Sequence, residues 1–382
     1  AFLLRALCVI FDNHDLITLP DSTADAQTFE RKARYFSNNY GLLVVKDFFR
    51  GGSLLMVRII SVFYTIFGES KMMAQSISVA LGTASVYLVY LLSSIVWDQK
   101  SATKAAWVVA LFPSLILYSS LTLREVYIVF LLLIGLIGIA RYIRNNTINS
   151  FLQVLLSFYA LIFFHGAASL GGLIFLSYVL LNSIKKQLIN LFDLKINILS
   201  FMVAIIASIP VVLFLTNNLS IPYMPNLYDL PTILFQSNVA IKFLDARSAY
   251  PDWFMIKNIY ELIPKTILKT IYFLYSPFIW DIKTNYHMIG FFDTIPYFVL
   301  TIYLIQNKNA IWANPVARIF IIIFFVYIII HGLGVGNFGT AIRHKSKFVV
   351  IMIVLAAPKI NKFVFSVQKK IYKSVQKKTY KK

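Results

Sequence analysis

Acidic side chains in two places have types and positions that suit proton transfer. Asp21 and Asp25 lie in the stretch Pro20–Phe36, and Glu125 follows Arg124 at the start of an apolar run. A positioned carboxylate can take a proton from a hydroxyl group as a general base. A second explanation is structural: Asp25 can stabilise the first turn of a helix through the helix dipole, and Glu125 can form a local ion pair or a helix cap. Both explanations stay open at this point.

Several basic side chains suit the binding of a phosphate group, and nearby aromatic side chains suit the binding of the substrate group attached to that phosphate. An arginine can contact phosphate oxygens at two points and keeps its charge at any physiological pH. At a membrane surface the same residue types also anchor a protein on lipid headgroups, so that alternative stays open. The candidates in this chain are Arg247, Tyr250, Trp253, Arg343, His344, Lys345 and Lys347.

Two groups of residues suggest metal binding or acid–base chemistry more weakly. Asp12, His14 and Asp15 have hard donor atoms that a divalent ion can use, but a polar turn also explains so close a spacing. His165 and His331 fall at the ends of apolar runs, where they serve either as acid–base groups or as anchors. The sequence predicts no metal site and no other cofactor.

Two features that suggest nucleotides or nucleic acids have simpler explanations. The string Gly334–Gly339 matches the dinucleotide fingerprint, but it follows an apolar helix rather than a strand, so we reject that assignment. The net charge of +20 comes from Lys and Arg residues between apolar runs and in the C-terminal tail. That distribution is typical of membrane topology, and we expect no nucleic-acid partner.

The positioning elements must be membrane helices, because 59% of the 382 residues are hydrophobic. Soluble domains contain about 45–50% apolar residues, and a helix of about 20 apolar residues crosses a bilayer. Cys8 is the single cysteine, so an internal disulfide is excluded. We predict an all-α, polytopic bundle with ten crossings, the first being the end of a helix that begins before Ala1. The crossings are expected near residues 1–11, 72–97, 105–121, 122–143, 150–165, 168–184, 196–216, 290–306, 315–331 and 346–358.

Charge predicts the orientation and the division of the chain. One side of the ten crossings carries Lys100, Lys104, Arg141, Arg144, Lys185, Lys186, Lys195, Lys308 and the nine lysines from Lys359 to Lys382. The positive-inside rule makes that side cytoplasmic. The membrane domain is predicted at 1–358, with a basic cytoplasmic tail at 359–382 that suits anionic lipid. The segments 53–67 and 266–280 are too short to cross and are predicted to lie at the interface, the first of them in the first external loop. External loops are expected at about 12–71, 217–289 and 332–345.

The first external loop contains an amphipathic pattern. Ala26, Phe29, Ala33 and Phe36 fall near one stripe of a helix, and Ser22 or Thr23 could cap it. We therefore predict an amphipathic helix that rests on the outer leaflet of the membrane.

The first half of the chain carries a recognisable pattern. Asp25 is followed after four positions by the aromatic Phe29 and after four more by the small Ala33. An interfacial segment, a long helix, a Pro-containing helix and an acid that opens the next helix then follow in order. The segments are Phe67–Ser70, Ala74–Ser76 with the helix to Trp97, Leu111–Ser119 and Arg124–Glu125. Over residues 12–143 this pattern resembles the GT-C glycosyltransferases of the protein mannosyltransferase and aminoarabinose transferase type.

The chain also departs from that family. Many relatives have two adjacent acids, whereas Ala26 follows Asp25 here, which leaves open whether Asp25 or Asp21 corresponds to the family's acid. The large soluble outer domain of many relatives is not expected in this sequence.

The resemblance implies an inverting glycosyltransferase of the cytoplasmic membrane, active on its outer face in the synthesis or modification of cell-surface glycans. The donor would be a sugar linked to polyprenyl phosphate, and the acceptor a glycan, a lipid or a protein. Such a transfer needs a base for the acceptor hydroxyl and cations for the departing phosphate. The implied catalytic candidates are Asp25, Asp21 and Glu125, the phosphate-binding candidates are Arg343, Arg247, Lys347 and His344, and the substrate-binding candidates are Tyr250 and Trp253.

Two other functions fit parts of the sequence. A polymerase or ligase of surface polysaccharide, of the O-antigen or capsule type, also uses lipid-linked glycans, and it would depend on loop arginines rather than on Asp25. A transporter or flippase should show inverted repeats and ionisable groups within its spans. The predicted crossings are nearly free of charge at their centres, which disfavours transport.

Overall fold

The computed structural model describes residues 1–14, 16, 19–49, 54–192, 198–216, 238 and 248–360. Within these residues all regular secondary structure is helical, and an isolated β-bridge joins Ala249 to Asn337. The predicted all-α class is therefore confirmed for the described part of the chain. Residues 217–237 and 239–247 of the external loop expected at about 217–289, and the tail after residue 360, lie outside the described part.

The helices follow the apolar runs of the sequence. Labelled in chain order, they are α1 (Phe2–Asn13), α2 (Gln27–Tyr40), α3 (Leu55–Phe67), α4 (Lys71–Val96), α5 (Gln99–Leu111), α6 (Pro113–Tyr118), α7 (Glu125–Asn145), α8 (Ile148–Ile162), α9 (Leu170–Phe192), α10 (Ile198–Leu215), α11 (Leu262–Tyr275), α12 (Asn285–Gln306), α13 (Lys308–Ala313), α14 (Pro315–Gly334), α15 (Phe338–Lys345) and α16 (Val349–Ala356). Short π or 3-10 turns occupy Ser22–Ala26, Gly41–Asp47, Gly166–Ser169, Asp252–Phe254, Ile259–Glu261 and Ile279–Asp281.

Five helical segments of the described residues are long and apolar enough to cross a membrane. They are Lys71–Val96, Glu125–Asn145, Gly166–Gln187, His287–Gln306 and Pro315–Gly334. The described helices are therefore compatible with a multi-pass membrane protein, but the predicted count of ten crossings is not confirmed. Among the other predicted crossings, α1 has 12 residues, α8 has 15 and α16 has 8.

The predicted crossing at 105–121 is interrupted. Helix α5 ends at Leu111, Phe112 is extended, and α6 begins at Pro113. Proline lacks the backbone N–H that an uninterrupted helix requires, but it is well suited to the first position of a new one. One apolar run therefore forms two short helices with a bend between them.

Helix α2 confirms the predicted apolar stripe but not its predicted partner. Ala26 and Ala33 are buried, and Phe29 and Phe36 pack against the core. We expected this stripe to rest on lipid, whereas α2 packs against α3. The stripe finds its apolar partner within the protein, which fixes the first loop against the bundle.

The eight-residue helix α16 lies at the centre of the bundle, with every residue fully buried. It packs against α4, α5, α12 and α14. Its last carbonyls have no partner within the helix, so side chains from neighbours satisfy them. The indole Nε1 of Trp97 donates to the Val354 carbonyl at 2.8 Å, and Asn307 donates to the Leu355 carbonyl at 2.9 Å.

The bundle has two chemically different ends. At one end Lys104 donates to the Pro358 carbonyl at 3.3 Å, and Asn314, beside Arg144, donates to the Val96 carbonyl at 2.8 Å. At the other end of α4, Lys71 pairs with Asp12 at 2.8 Å. Cations predicted to be cytoplasmic thus gather at the end of α4 that lies opposite the first loop.

We expect these two ends to lie on opposite sides of the membrane, since short loops rich in Lys and Arg stay in the cytoplasm. In a Cys8→Ser background, the exposed positions of Asn39→Cys and Asn309→Cys provide one thiol at each end. A membrane-impermeant maleimide should label the first in intact cells and the second after permeabilisation. Labelling of Asn309→Cys in intact cells would contradict the predicted orientation.

Candidate functional site

The carboxylate of Glu125, the first residue of α7, is the centre of a buried charge cluster. Its side chain is 1% exposed. Oε1 accepts a hydrogen bond from Arg343 Nε at 2.7 Å and lies 3.6 Å from Lys347 Nζ. A buried carboxylate is costly unless cations pair with it, and an acid in the first turn also gains from the helix dipole. Glu125 therefore ties the start of α7 to the C-terminal end of α15.

Arg343 joins this buried acid to an exposed one. Its Nη1 donates to Asp25 Oδ2, and the exposed fractions of the two side chains are 11% and 56%. Asp25 is held in place because the next turns of its helix dock on the bundle, where Thr122 Oγ1 donates to the buried Glu30 at 2.7 Å. One guanidinium group thus bridges the first loop and the start of α7.

Asp21 lies next to this cluster in an unusual backbone conformation. Its φ is +65°, in the left-handed region that Asp tolerates better than most residues. The hydroxyl of Tyr118 donates to its Oδ2 at 3.3 Å. Burial raises the pKa of Asp21, and the nearby Arg343 opposes part of that rise. Asp21 is therefore a stronger proton acceptor, once ionised, than an exposed aspartate.

A cavity of about 780 Å³ lies beside the charge cluster. Residues of α1, α6, α12 and α15 line it, and most of them are apolar. Two carboxylates, Asp21 and Asp293, are part of the lining, as is Ile342, the residue before Arg343. An apolar cavity with a few acids at its wall and a cation beside it can take a ligand with both an apolar and an anionic part.

The charge cluster contains buried hydrogen-bond donors that an anion could use. Among the described atoms, Arg124 Nε, Lys347 Nζ and Glu125 Oε2 are buried without a hydrogen-bond partner. Lys347 is fully buried, and its ion pair with Glu125 offsets part of the cost of burying its charge. Buried polar atoms in native proteins usually have partners, and an unpaired one often marks a site with a functional role. A phosphate group would satisfy the two donors.

Most of the residues predicted from sequence meet here. Asp21, Asp25, Glu125, Arg343 and Lys347 come together from segments far apart in the chain, by the contacts described above. Arg247 lies outside the described residues, so the structure does not test its position.

The remaining candidates have other neighbours. His344 packs against His165 and His331, with ring centroids 5.3 Å apart in each case. Tyr250 is buried beside Phe338, and its N–H donates to the Gly336 carbonyl at 2.7 Å, which fixes it to the turn before α15. Trp253 stacks on Phe254, with ring centroids 3.9 Å apart.

The weaker sequence patterns have structural explanations. Asp12 accepts hydrogen bonds from Lys71 at 2.8 Å and from Gln75 at 2.9 Å, so its carboxylate joins α1 to α4. Asp15 lies outside the described residues. The string Gly334–Gly339 connects two helices, and Asn337 within it caps α15 by accepting from the Thr340 N–H at 2.8 Å.

Sequence reasoning did not select Asp293, a buried acid of the cavity wall, whereas it named the buried Lys345 as a phosphate-binding candidate. Asp293 Oδ1 accepts from the Ser114 N–H at 3.0 Å and so caps α6, while its Oδ2 has no partner among the described atoms. Lys345 donates to the Leu274 and Ser276 carbonyls at 3.2 Å and lies over the Tyr297 ring. A signal for Asp293 did exist, because an acid within a membrane helix is often functional.

Comparison of the chain with protein-family models, curated proteins and solved structures found no match. The chemistry of the site is therefore inferred from its own geometry. Two acids, one exposed and one buried, share an arginine beside an apolar cavity, and two further acids, Asp21 and Asp293, line that cavity. Such a site can bind an anion on its cations and accept a proton on a carboxylate.

We expect Glu125→Gln to destabilise the protein strongly. The substitution leaves two buried cations, Arg343 and Lys347, without their shared carboxylate, and breaking a buried pair costs about 3–5 kcal/mol. The midpoint of thermal unfolding in detergent should fall clearly. The control Glu69→Gln removes an exposed pair with Arg34 and should change the midpoint little. Equal effects of both substitutions would show that Glu125 does not organise the bundle.

Proposed function

We propose that this chain is a membrane glycosyltransferase that transfers a sugar from a polyprenyl-phosphate-linked donor to an acceptor. The acceptor is a glycan, a lipid or a protein at the outer face of the cytoplasmic membrane. The observation that carries the proposal is the bridge from Arg343 to both Asp25 and Glu125 beside the apolar cavity. It combines a cation for phosphate with a carboxylate for the acceptor hydroxyl.

The cavity supports a lipid-linked donor rather than a free sugar nucleotide. Its lining is mostly apolar, and its volume of about 780 Å³ falls within the usual range for small-ligand sites. The isoprene units next to the phosphate would occupy the apolar part. The phosphate would then lie toward Arg343 and Lys347, near Asp21 on the wall.

The two contacts of Arg343 are not equivalent. Glu125 is buried and holds Nε at 2.7 Å, whereas Asp25 is more than half exposed and contacts Nη1. A donor phosphate can replace Asp25 on Nη1, because a phosphate also accepts hydrogen bonds from the arginine fork. Binding of the donor would thereby free the Asp25 carboxylate beside the bound sugar.

The chemical step follows from these positions. The acceptor hydroxyl attacks the anomeric carbon while its proton passes to Asp25, or to Asp21. The bond from the anomeric carbon to the phosphate oxygen breaks, and the electron pair leaves with the phosphate. Arg343 and Lys347 stabilise the charge that develops on that oxygen. A single displacement of this kind inverts the configuration of the sugar.

The same arrangement supports an outward-facing site. The cluster lies at the end of the bundle opposite the gathered cations of Lys104 and Arg144. If that basic end is cytoplasmic, the first loop and α15 face outward.

We expect Asp25→Asn to abolish sugar transfer, because a positioned base contributes about 100-fold to 10,000-fold in rate. Membranes with matched amounts of each variant would be supplied with radiolabelled polyprenyl-phosphate sugar, and the release of polyprenyl phosphate would be followed. Asp21→Asn, assayed in parallel, decides between the two acids. Glu69→Gln, which removes another acid of the first loop, is the control and should retain full activity.

Full activity in both aspartate variants would reject the proposed base. Loss of activity with substitution of Arg343 alone would then favour the polymerase or ligase type of enzyme, which depends on arginine. Wild-type membranes without any donor turnover would contradict the glycosyltransferase assignment itself.

Arg343→Lys should weaken binding of the donor phosphate while keeping the charge. Lysine lacks the fork that contacts Glu125 and a phosphate together, and a hydrogen bond to a charged group is worth about 1.5–3 kcal/mol, or roughly 10-fold to 150-fold. The inhibition constant of a short polyprenyl phosphate without sugar should rise by that factor. Arg318→Lys, at the start of α14, is the control, and an unchanged constant for Arg343→Lys would exclude the proposed contact.

A further inference from the structure

Three histidines from separate parts of the chain form a compact cluster. His165 lies in the turn between α8 and α9, His331 in the last turn of α14 and His344 in α15. Each pair of rings has its centroids 5.3 Å apart. His165 and His331 are buried, and His344 is partly buried. We call these three residues the histidine triad.

Each ring of the triad has a buried nitrogen without a hydrogen-bond partner among the described atoms. These nitrogens are His165 Nδ1, His331 Nε2 and His344 Nδ1. The other nitrogen of His331, Nδ1, lies 2.9 Å from the Tyr327 carbonyl. A carbonyl only accepts, so Nδ1 carries the proton and Nε2 presents a lone pair. Metal-binding histidines are oriented in this way in known proteins.

The geometry of the triad fits a single metal ion after small side-chain movements. One ring nitrogen from each histidine lies within 4.8 Å of the other two. Three atoms at that greatest separation lie about 2.8 Å from a common centre, whereas a zinc–imidazole bond is roughly 2.0–2.1 Å. Each nitrogen must therefore move inward by less than about 1 Å, which rotation about the side-chain bonds can supply.

We propose that the histidine triad binds one divalent transition-metal ion of the zinc, cobalt or nickel class. Three imidazoles leave a fourth position for water or another ligand, as in other three-histidine sites. Imidazole suits these ions, whereas Mg²⁺ and Ca²⁺ prefer oxygen donors. This inference does not rest on the proposed sugar transfer, and it gives His344 a role apart from the phosphate.

The surrounding charges set a limit on the affinity. Lys347 and Arg124 both act electrostatically on His165, and Lys347 also acts on His331 and His344. These cations repel a bound metal ion. The Glu125 carboxylate, whose Oε2 has no hydrogen-bond partner among the described atoms, lies beside Lys347 and offsets part of that positive charge. A histidine must be neutral to bind a metal ion, and the nearby cation Lys347 disfavours a further positive charge on the His344 ring.

The full-length chain, purified in detergent through a tag without histidine and stripped with a chelator, would be titrated with Co²⁺. We expect one Co²⁺ per chain, visible absorption bands of a low-coordinate site, and their loss when Zn²⁺ is added. His165→Ala and His344→Ala should each raise the dissociation constant at least tenfold, because losing even an outer partner of a ligand costs 10-fold to 100-fold. The control His287→Ala removes a buried histidine outside the triad.

Thermal unfolding gives a second readout. A metal that binds the folded state alone stabilises it by mass action, so Zn²⁺ should raise the midpoint of the wild type and of His287→Ala but not of the triad variants. Chelated triad variants with the wild-type midpoint would show that they fold. Absence of stoichiometric Co²⁺ binding, or binding unchanged in both triad variants, would overturn the proposal and leave the triad as ring packing. Neither readout requires sugar transfer, so the two proposals fail independently.

Discussion

A carboxylate buried at the start of a long apolar helix must be paired, and the pairing of Glu125 determines how distant parts of this chain meet. Its two cations, Arg343 and Lys347, follow it by more than 200 residues. In a medium of low dielectric constant the unpaired charge would cost several kcal/mol. The end of α15 is therefore fixed against α7, and Arg343 is left with one donor directed to the first loop. The position of the cavity wall at Ile342 follows from the same contact.

The fold could be predicted in class but not in its number of crossings. Composition and run length correctly indicated apolar helices, and charge correctly grouped Lys104 and Arg144 at one end. Run length could not show that Pro113 divides one run into two helices. It also could not distinguish α16, buried on all sides by its neighbours, from a helix facing lipid, since both are uniformly apolar.

The candidate site was predictable in its residue types rather than in its contacts. Glu125 was selected as an ionisable group that opens an apolar run, Asp25 through its spacing to Phe29 and Ala33, and Arg343 as a cation suited to phosphate. Their convergence carries no local sequence signal, because separations of about one hundred to more than three hundred residues have no periodicity that reveals contact. Helix α2 shows the same limit: its stripe was visible, whereas the choice of α3 over lipid as its partner depended on tertiary packing.

One short helix serves both the charge cluster and the histidine triad. Arg343 and His344 are consecutive in α15, and consecutive residues of an α-helix point about 100° apart, since a turn takes 3.6 residues. Arg343 therefore reaches the acids while His344 reaches the other two histidines. A displacement of α15 that separates one set of contacts must also disturb the other. An ion on the triad would consequently hold Arg343 in register with Glu125, even though it touches no part of the cavity.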